Sequence, residues 1–313
     1  MLDVIVVGAG PAGLTAAQVL GRQGRRTLVV DSGRPRNAPS PALHMFPSRD
    51  GFSPAELRRL ARAELAAYPT VRVLDDRVLG VQRSPDRFEV ELADAGRHQA
   101  RRLLLATGVT DQMPSIDGFA ERFGVSVFHC PYCHGNEVRG KTVAVLGNGQ
   151  PGAMLALYLR DRFSDDVVLL TDGPAELGDG LVPMLKERNI AVRPEPVAQI
   201  AGELDALTIR FTEGEPLPRQ ALFHRPAERQ HSTLAADLGC EILPDGWVKV
   251  DAQQRTTVPG VYAAGDLARF EPTPVALTFV LTGAAAGQAA AVWLDGDLFR
   301  TDHPTLFPPP AAE

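Results

Sequence analysis

DVIVVGAGPAGLTAAQVLGRQG, residues 3–24, decides the fold. A short β-branched run turns through glycines and continues as an apolar helical stretch, which is the strand, glycine loop and helix of a dinucleotide-binding unit. Gly8, Gly10 and Gly13 spell GxGxxG around Pro11 and Ala12. The spacing gives a tight turn, close backbone approach to a pyrophosphate and a helix N-terminus aimed at its charge. A second strand, TLVVD, ends in Asp31, followed by Ser32, where a carboxylate reaches a ribose hydroxyl. GxGxxG alone is weak, but a glycine turn without a ligand fits the whole strand, loop, helix, strand and acid poorly.

The pattern recurs as KTVAVLGNGQPGAMLALYLRDRF, residues 141–163, with Gly147, Gly149 and Gly152 in the loop. Further on, VVLL ends in Thr171 and Asp172, an acidic position of the kind that pairs with an NAD ribose and repels a 2′-phosphate. If a nicotinamide binds here, NADH is favoured over NADPH; if none binds, the loop is a retained scaffold. RFEVELADAG reads as strand and turn, and RRLLLATG as a buried strand ending in a glycine turn. Crossovers are expected at 111–118 and 243–246. WVKVDAQQRTTVPGVYAAGD and the long apolar helix after it have no dinucleotide loop of their own and most economically complete the first domain. The expected fold is therefore α/β with two dinucleotide-binding, Rossmann-like domains, the second inserted in the first. Residues 1–112 and 245–313 make the first, discontinuous domain and residues 113–244 the inserted one. The tail PTLFPPPAAE is expected to be extended or disordered.

Bulk properties agree. The chain has 313 residues, enough for two modest domains, and 44% hydrophobic with 22% charged residues is a globular balance. A net charge of -6 offers no basic footprint for nucleic acid. The uncharged run PVALTFVLTGAAAGQAAAVWL, residues 274–294, is dominated by alanine and reads as a buried helix rather than a membrane span. The first strand begins beside the initiator with no basic leader ahead of it, so a cytoplasmic protein is expected.

Two further motifs carry chemistry. In VYAAGDL, Asp266 ends a strand just before the segment leading to the long helix, where a carboxylate accepts hydrogen bonds from a polyol chain. With ATG at Ala106, Thr107 and Gly108, it points to FAD in the first domain, although a turn aspartate would look similar. FHCPYCHG places Cys130 and Cys133 in a CxxC followed by His134. Zinc would need two more ligands at similar spacing, and Cys240 is isolated. Redox chemistry fits better, because a two-residue spacer closes a strained, reducible disulfide and the imidazole can hold or move a thiol proton. A merely structural His134 stays open; His129 and His44 are weaker candidates, His231 reads as structural, and Cys240 as a small apolar residue.

In order, these motifs resemble the low-molecular-weight thioredoxin reductase family, over residues 4–294. The resemblance implies a homodimer in which Cys133 faces the flavin and Cys130 exchanges with substrate. Three departures matter: thioredoxin reductases usually have Asp where this chain has His134, a basic HRR-like cluster where it has Thr171, Asp172 and Gly173, and Arg-Gln-Ala near the flavin where it has Pro274, Val275 and Ala276. The departures are similar to the flavin-dependent dithiol oxidases of disulfide natural-product biosynthesis, whose members carry CPYCHG-like motifs and an RN motif matching Arg36 and Asn37. That resemblance implies that Arg36, Asn37, His44, Val275 and Ala276 lie near FAD. The expected activity is oxidation of a small-molecule dithiol to an intramolecular disulfide, with His134 as base and oxygen as electron acceptor. The alternatives are an NADH- or NADPH-dependent reductase of thioredoxin or another disulfide, and a non-catalytic flavin redox sensor.

Overall fold

The computed structural model describes residues 1–273 and 278–307, so Val275 and Ala276 lie outside the described residues, with part of the proline-rich tail. The chain divides into two compact units, one of Met1–Ala38, Phe46–Thr110 and Arg229–Glu313, the other of Pro39–Met45 and Asp111–Glu228.

The first unit opens with β1 (Leu2–Val7), α1 (Pro11–Arg22), β2 (Thr27–Asp31), α2 (Pro54–Glu64), β3 (Val71–Asp75), β4 (Val78–Arg83), β5 (Phe88–Leu92) and β6 (Arg97–Leu105). After β7 (Val109–Gln112), the second unit contains β8 (Val127–Phe128), α3 (Pro131–His134), β9 (Thr142–Leu146), α4 (Gly149–Arg162), β10 (Asp166–Leu170), α5 (Leu181–Glu187) and β11 (Ala191–Arg193). It continues through β12 (Val197–Glu203), β13 (Ala206–Phe211), β14 (Leu217–Arg219) and β15 (Ala221–His224). Beyond β16 (Ala227–Gln230) the first unit resumes with α6 (Leu234–Asp237), β17 (Val248–Val250), β18 (Val261–Ala263), β19 (Ala268–Phe270) and α7 (Val280–Asp302).

The first sheet runs β3-β2-β1-β6-β5-β4, with β18 also on β6. β1 pairs in parallel with β2 on one side and β6 on the other, which makes a topological switch point at its C-terminal end. β6 is long enough to serve two structures: its first half pairs antiparallel with β5, its second half in parallel with β1 and β18. Val4, Ile5 and Val6 are wholly buried because both faces of this part of the sheet are covered, Val4 and Val6 by α1 and α7, and Ile5 by Phe88, Val90, Val248 and Val250. Each such side chain contributes roughly 1.5–3 kcal/mol of burial. α1 starts with Pro11 in its first turn, and α7 lies against it through Gly287, where a Cβ would run into the Ala12 carbonyl. Among the described residues no helix is long and apolar enough to cross a membrane.

The second unit holds a fully parallel sheet, β11-β10-β9-β15-β8, and a separate antiparallel sheet, β12-β13-β14. The boundaries differ in three places from the sequence expectation, the smallest being residues 111–112, which fall in the second unit. Leu234, Ala235 and Cys240 pack in the same cluster as Leu103 and Val261, so residues 229–244 belong with the first unit. Residues 243–246, expected as a crossover, form a turn inside that unit, closed by the Gly246 N–H donating to the Leu243 carbonyl at 2.8 Å. Residues 39–45 belong instead with the second unit.

Candidate functional site

In the first unit, β1 delivers the glycine loop to the start of α1. Gly8 sits at φ +105, and a Cβ there would strike the Ala106 carbonyl, so the ATG turn presses on the first glycine. Ala106 N–H donates to the Val7 carbonyl at 2.8 Å, and Gly108 is left-handed at φ 68. Asp31 holds the loop from the other side. Its Oδ1 accepts from the Ala9 N–H at 3.2 Å, and its Oδ2 from Arg58 at 2.7 Å and Arg62 at 3.4 Å. Ser32 is exposed and Asn37 half-buried. Arg36 Nη1 reaches the Asp266 carboxylate at 3.4 Å, joining residues 230 apart in the chain.

These residues fit FAD. A Cβ at Gly10 would meet nothing within 4 Å, so there is open space beside the helix start. The first turn of α1, with Pro11, Ala12 and Gly13, carries no acidic residue to compete for its N–H groups. That donor set suits a pyrophosphate, and the Asp31 and Asp266 carboxylates suit hydroxyl donors at either end of it.

In the second unit, Cys130 caps α3. Its Sγ accepts from the Cys133 N–H at 3.2 Å, and its carbonyl accepts from the N–H groups of Cys133 and His134 at 3.2 and 3.1 Å. Pro131 in the first turn fixes the start of the helix. Tyr158 lies close to Cys130; burial first, then a hydrogen bond with Tyr132, pushes its hydroxyl above the usual phenol range.

His134 stacks on Phe128, ring centroids 4.4 Å apart at 15°, and meets the His44 ring edge-on at 6.5 Å. Its Nε2 is 3.3 Å from Ser40 Oγ. Burial lowers its pKa to about 4, against the pull of Glu137 and with a small push from His44. The ring is therefore neutral near neutral pH, as a proton acceptor must be. His44 Nε2 lies 3.6 Å from Glu137 Oε1, so within this unit His44 keeps company with the CxxC histidine. His129 stacks on Phe123 at 5.7 Å, and His231, in the first unit, is hydrogen-bonded to Thr110 at 2.8 Å.

The second glycine loop is tied down by its own neighbours. Asn148 Oδ1 accepts from the N–H groups of Gly149 at 2.8 Å and Glu176 at 2.9 Å, while its Nδ2 donates to the Pro174 carbonyl at 2.9 Å. Gly149 is left-handed at φ +61, and Gly147 and Gly152 approach each other closely, as the turn requires. Asp172, at φ 50, accepts from the Val197 N–H at 2.7 Å through Oδ1. Its carboxylate thus anchors the start of β12. Arg193, close by in β11, pairs with Glu195 at 2.9 Å and lies over the Phe211 ring at 4.3 Å.

A glycine loop at a parallel-sheet switch point, a second such loop on another parallel sheet and a CxxC at a helix start define a nucleotide-dependent thiol-disulfide oxidoreductase. Residues 2–280 match the family Pyridine nucleotide-disulphide oxidoreductase, and the chain belongs to it as an FAD-dependent disulfide oxidoreductase of thioredoxin reductase-like type. Relatives include thioredoxin reductase tcpT of Claviceps purpurea, 35% identical over 98% of each chain, and thioredoxin reductase sirT of Leptosphaeria maculans, 33% identical over 92% of each. The crystal structure of HlmI superposes with a TM-score of 0.89 at 38% identity, covering 97% of this chain and 95% of that one.

Sequence reasoning did not find Ser40, Glu137, Arg58, Arg62 or Asn148. Arg58 and Arg62 could have been suspected from their i,i+4 spacing on a helix capped by Ser53, whose Oγ accepts from the Glu56 N–H. Ser40 carries no local signal, because its partner lies 94 residues away.

Proposed function

We propose that this protein oxidises a small-molecule dithiol to an intramolecular disulfide, with dioxygen as the final electron acceptor. The observation that carries the reading is the self-closure of the second glycine loop. Asn148 takes up the Gly149 N–H and ties in residues 174–176, and the Asp172 carboxylate is engaged by Val197. Two of the groups that would greet a nicotinamide nucleotide, the Gly149 N–H and Asp172 Oδ1, are thereby engaged within the unit, whereas an oxidase needs no such site.

In the proposed cycle the second unit's pyridine-nucleotide-type loop is a scaffold and the first unit carries the cofactor. Gly8, Gly10, Gly13 and the start of α1 hold the pyrophosphate, Asp31 the ribose end, and Asp266 with Arg36 the chain between. Bound FAD supplies the two-electron sink of the cycle and the means of discharging it onto dioxygen as hydrogen peroxide. His134 takes the proton of a substrate thiol. The thiolate attacks Cys130 Sγ, the disulfide bond breaks, and its electron pair leaves on Cys133. The second substrate thiolate attacks the substrate sulfur of the mixed disulfide, closing the product ring and releasing the Cys130 thiolate. Two electrons have then passed from substrate to the cysteine pair. The family resemblance supports a homodimer, and we place the enzyme in the cytoplasm.

Anaerobic titration of the FAD-loaded protein tests this. Stoichiometric dithiothreitol should bleach the flavin, while NADH and NADPH leave it oxidised over the same time. Rapid bleaching by either nucleotide, with turnover of thioredoxin, would establish the reductase instead.

A further inference from the structure

The two ring nitrogens of His134 have different surroundings. Nε2 faces Ser40 Oγ at 3.3 Å, whereas Nδ1 is buried with no hydrogen-bond partner among the described residues. Ser40 has a single proton to give, and it points to the Ala42 carbonyl at 2.7 Å, a group that can only accept. Towards His134, the Ser40 oxygen is thereby left as an acceptor. An acceptor opposite Nε2 requires a proton on Nε2, and in a neutral imidazole the lone pair then resides on Nδ1.

We propose that Ser40 is a positioning residue that holds His134 in the Nε2–H tautomer, making Nδ1 the atom that takes the proton of the substrate thiol. The second half of this inference rests on the reading of His134 as the base. The opposite tautomer would turn the Ser40 proton towards Nε2, strip the Ala42 carbonyl of its donor and bury an Nδ1–H with nothing to accept it. It leaves two polar groups unsatisfied instead of one.

The arrangement also survives the proton transfer. When Nδ1 takes the proton from R–SH, the electron pair stays on sulfur for attack on Cys130, and Nε2–H continues to donate to Ser40 in the imidazolium. Only one atom of the ring changes state. Phe128 stacked on the ring at 4.4 Å sets its plane. The charged or titratable groups facing the ring are Glu137, from the turn after α3, and His44, from residues 39–45; burial outweighs Glu137 and keeps the resting ring neutral. Buried without a hydrogen-bond partner, Nδ1 is the ring's unsatisfied acceptor.

The test uses full-length, FAD-loaded protein labelled with 15N-histidine, with the His134 signals assigned by their loss in His134→Gln. Long-range 1H–15N correlation near neutral pH should show a protonated Nε2 and an unprotonated Nδ1 in the wild type and in Ser40→Thr, which keeps the hydroxyl. Ser40→Ala should mix the tautomers and slow reduction of the cysteine pair by dithiothreitol on the order of tenfold, the worth of one net hydrogen bond. Ser40→Thr should restore the rate. An Nδ1–H tautomer in the wild type, or an unchanged tautomer in Ser40→Ala, overturns the positioning role. A mixed tautomer in Ser40→Ala with an unchanged dithiothreitol rate overturns His134 as the base while sparing the positioning.

Discussion

His134 pays a folding penalty for its place beside the cysteines. Its pKa falls from 6.5 to about 4 on burial, so between those values the unfolded chain binds a proton that the folded chain refuses. Stability tied to this residue is therefore complete above pH 6.5 and declines as the pH falls towards 4. At about 1.4 kcal/mol per pH unit, the loss from pH 6.5 to 5 comes to about 2 kcal/mol. Urea unfolding of the wild type and His134→Gln at pH 7.5 and pH 5 should show the wild type losing that much more than the variant. Parallel losses would mean that the ring is not buried neutral. The CxxC and its histidine were legible in the sequence because all three residues fall within five consecutive positions. The companions that tune them were not. Ser40 and His44 reach His134 from 94 and 90 residues upstream, and no local spacing encodes such a meeting.

The elements that could be read from the sequence are those with a strong local period: β1 and α1, β9 and α4, and the long apolar α7. What the pattern could not show is how closely α1 and α7 approach. A Cβ at Gly287 would run into the Ala12 carbonyl, in the first turn of α1, where we propose that the pyrophosphate is held. Gly287→Ala is expected to cost about 1–3 kcal/mol as an overpacked contact and to weaken FAD retention by displacing the start of α1. Thermal unfolding with and without added FAD should show a lowered midpoint and a larger rescue by cofactor than in the wild type. An unchanged midpoint and full flavin content after desalting would show that the two helices yield without consequence. The Asn148 bridge belongs to the same scale. GNGQPG announces a turn, but the use of its amides becomes visible only when residues 174–176 are seen folded onto Asn148.

At the scale of the whole molecule, two glycine-loop units, one interrupted by the other, followed from a repeated motif and from the lack of a third loop after Gly246. The junctions were harder to place. Composition marked residues 243–246 as punctuation, yet they are a turn within the first unit, and it is the packing of Leu234, Ala235 and Cys240 that assigns residues 229–244 there. Membership in the Pyridine nucleotide-disulphide oxidoreductase family leaves the direction of electron flow to the details of the sites. The closed second loop and the neutral His134 favour flow from a thiol substrate inward. The most direct test is oxygen uptake by the FAD-loaded protein in air with dithiothreitol as the only reductant. One dioxygen should be consumed and one hydrogen peroxide formed per dithiothreitol oxidised, with Cys130→Ser reduced to the uncatalysed background. No oxygen uptake with dithiothreitol, together with steady oxidation of NADH or NADPH when thioredoxin is supplied, would contradict it.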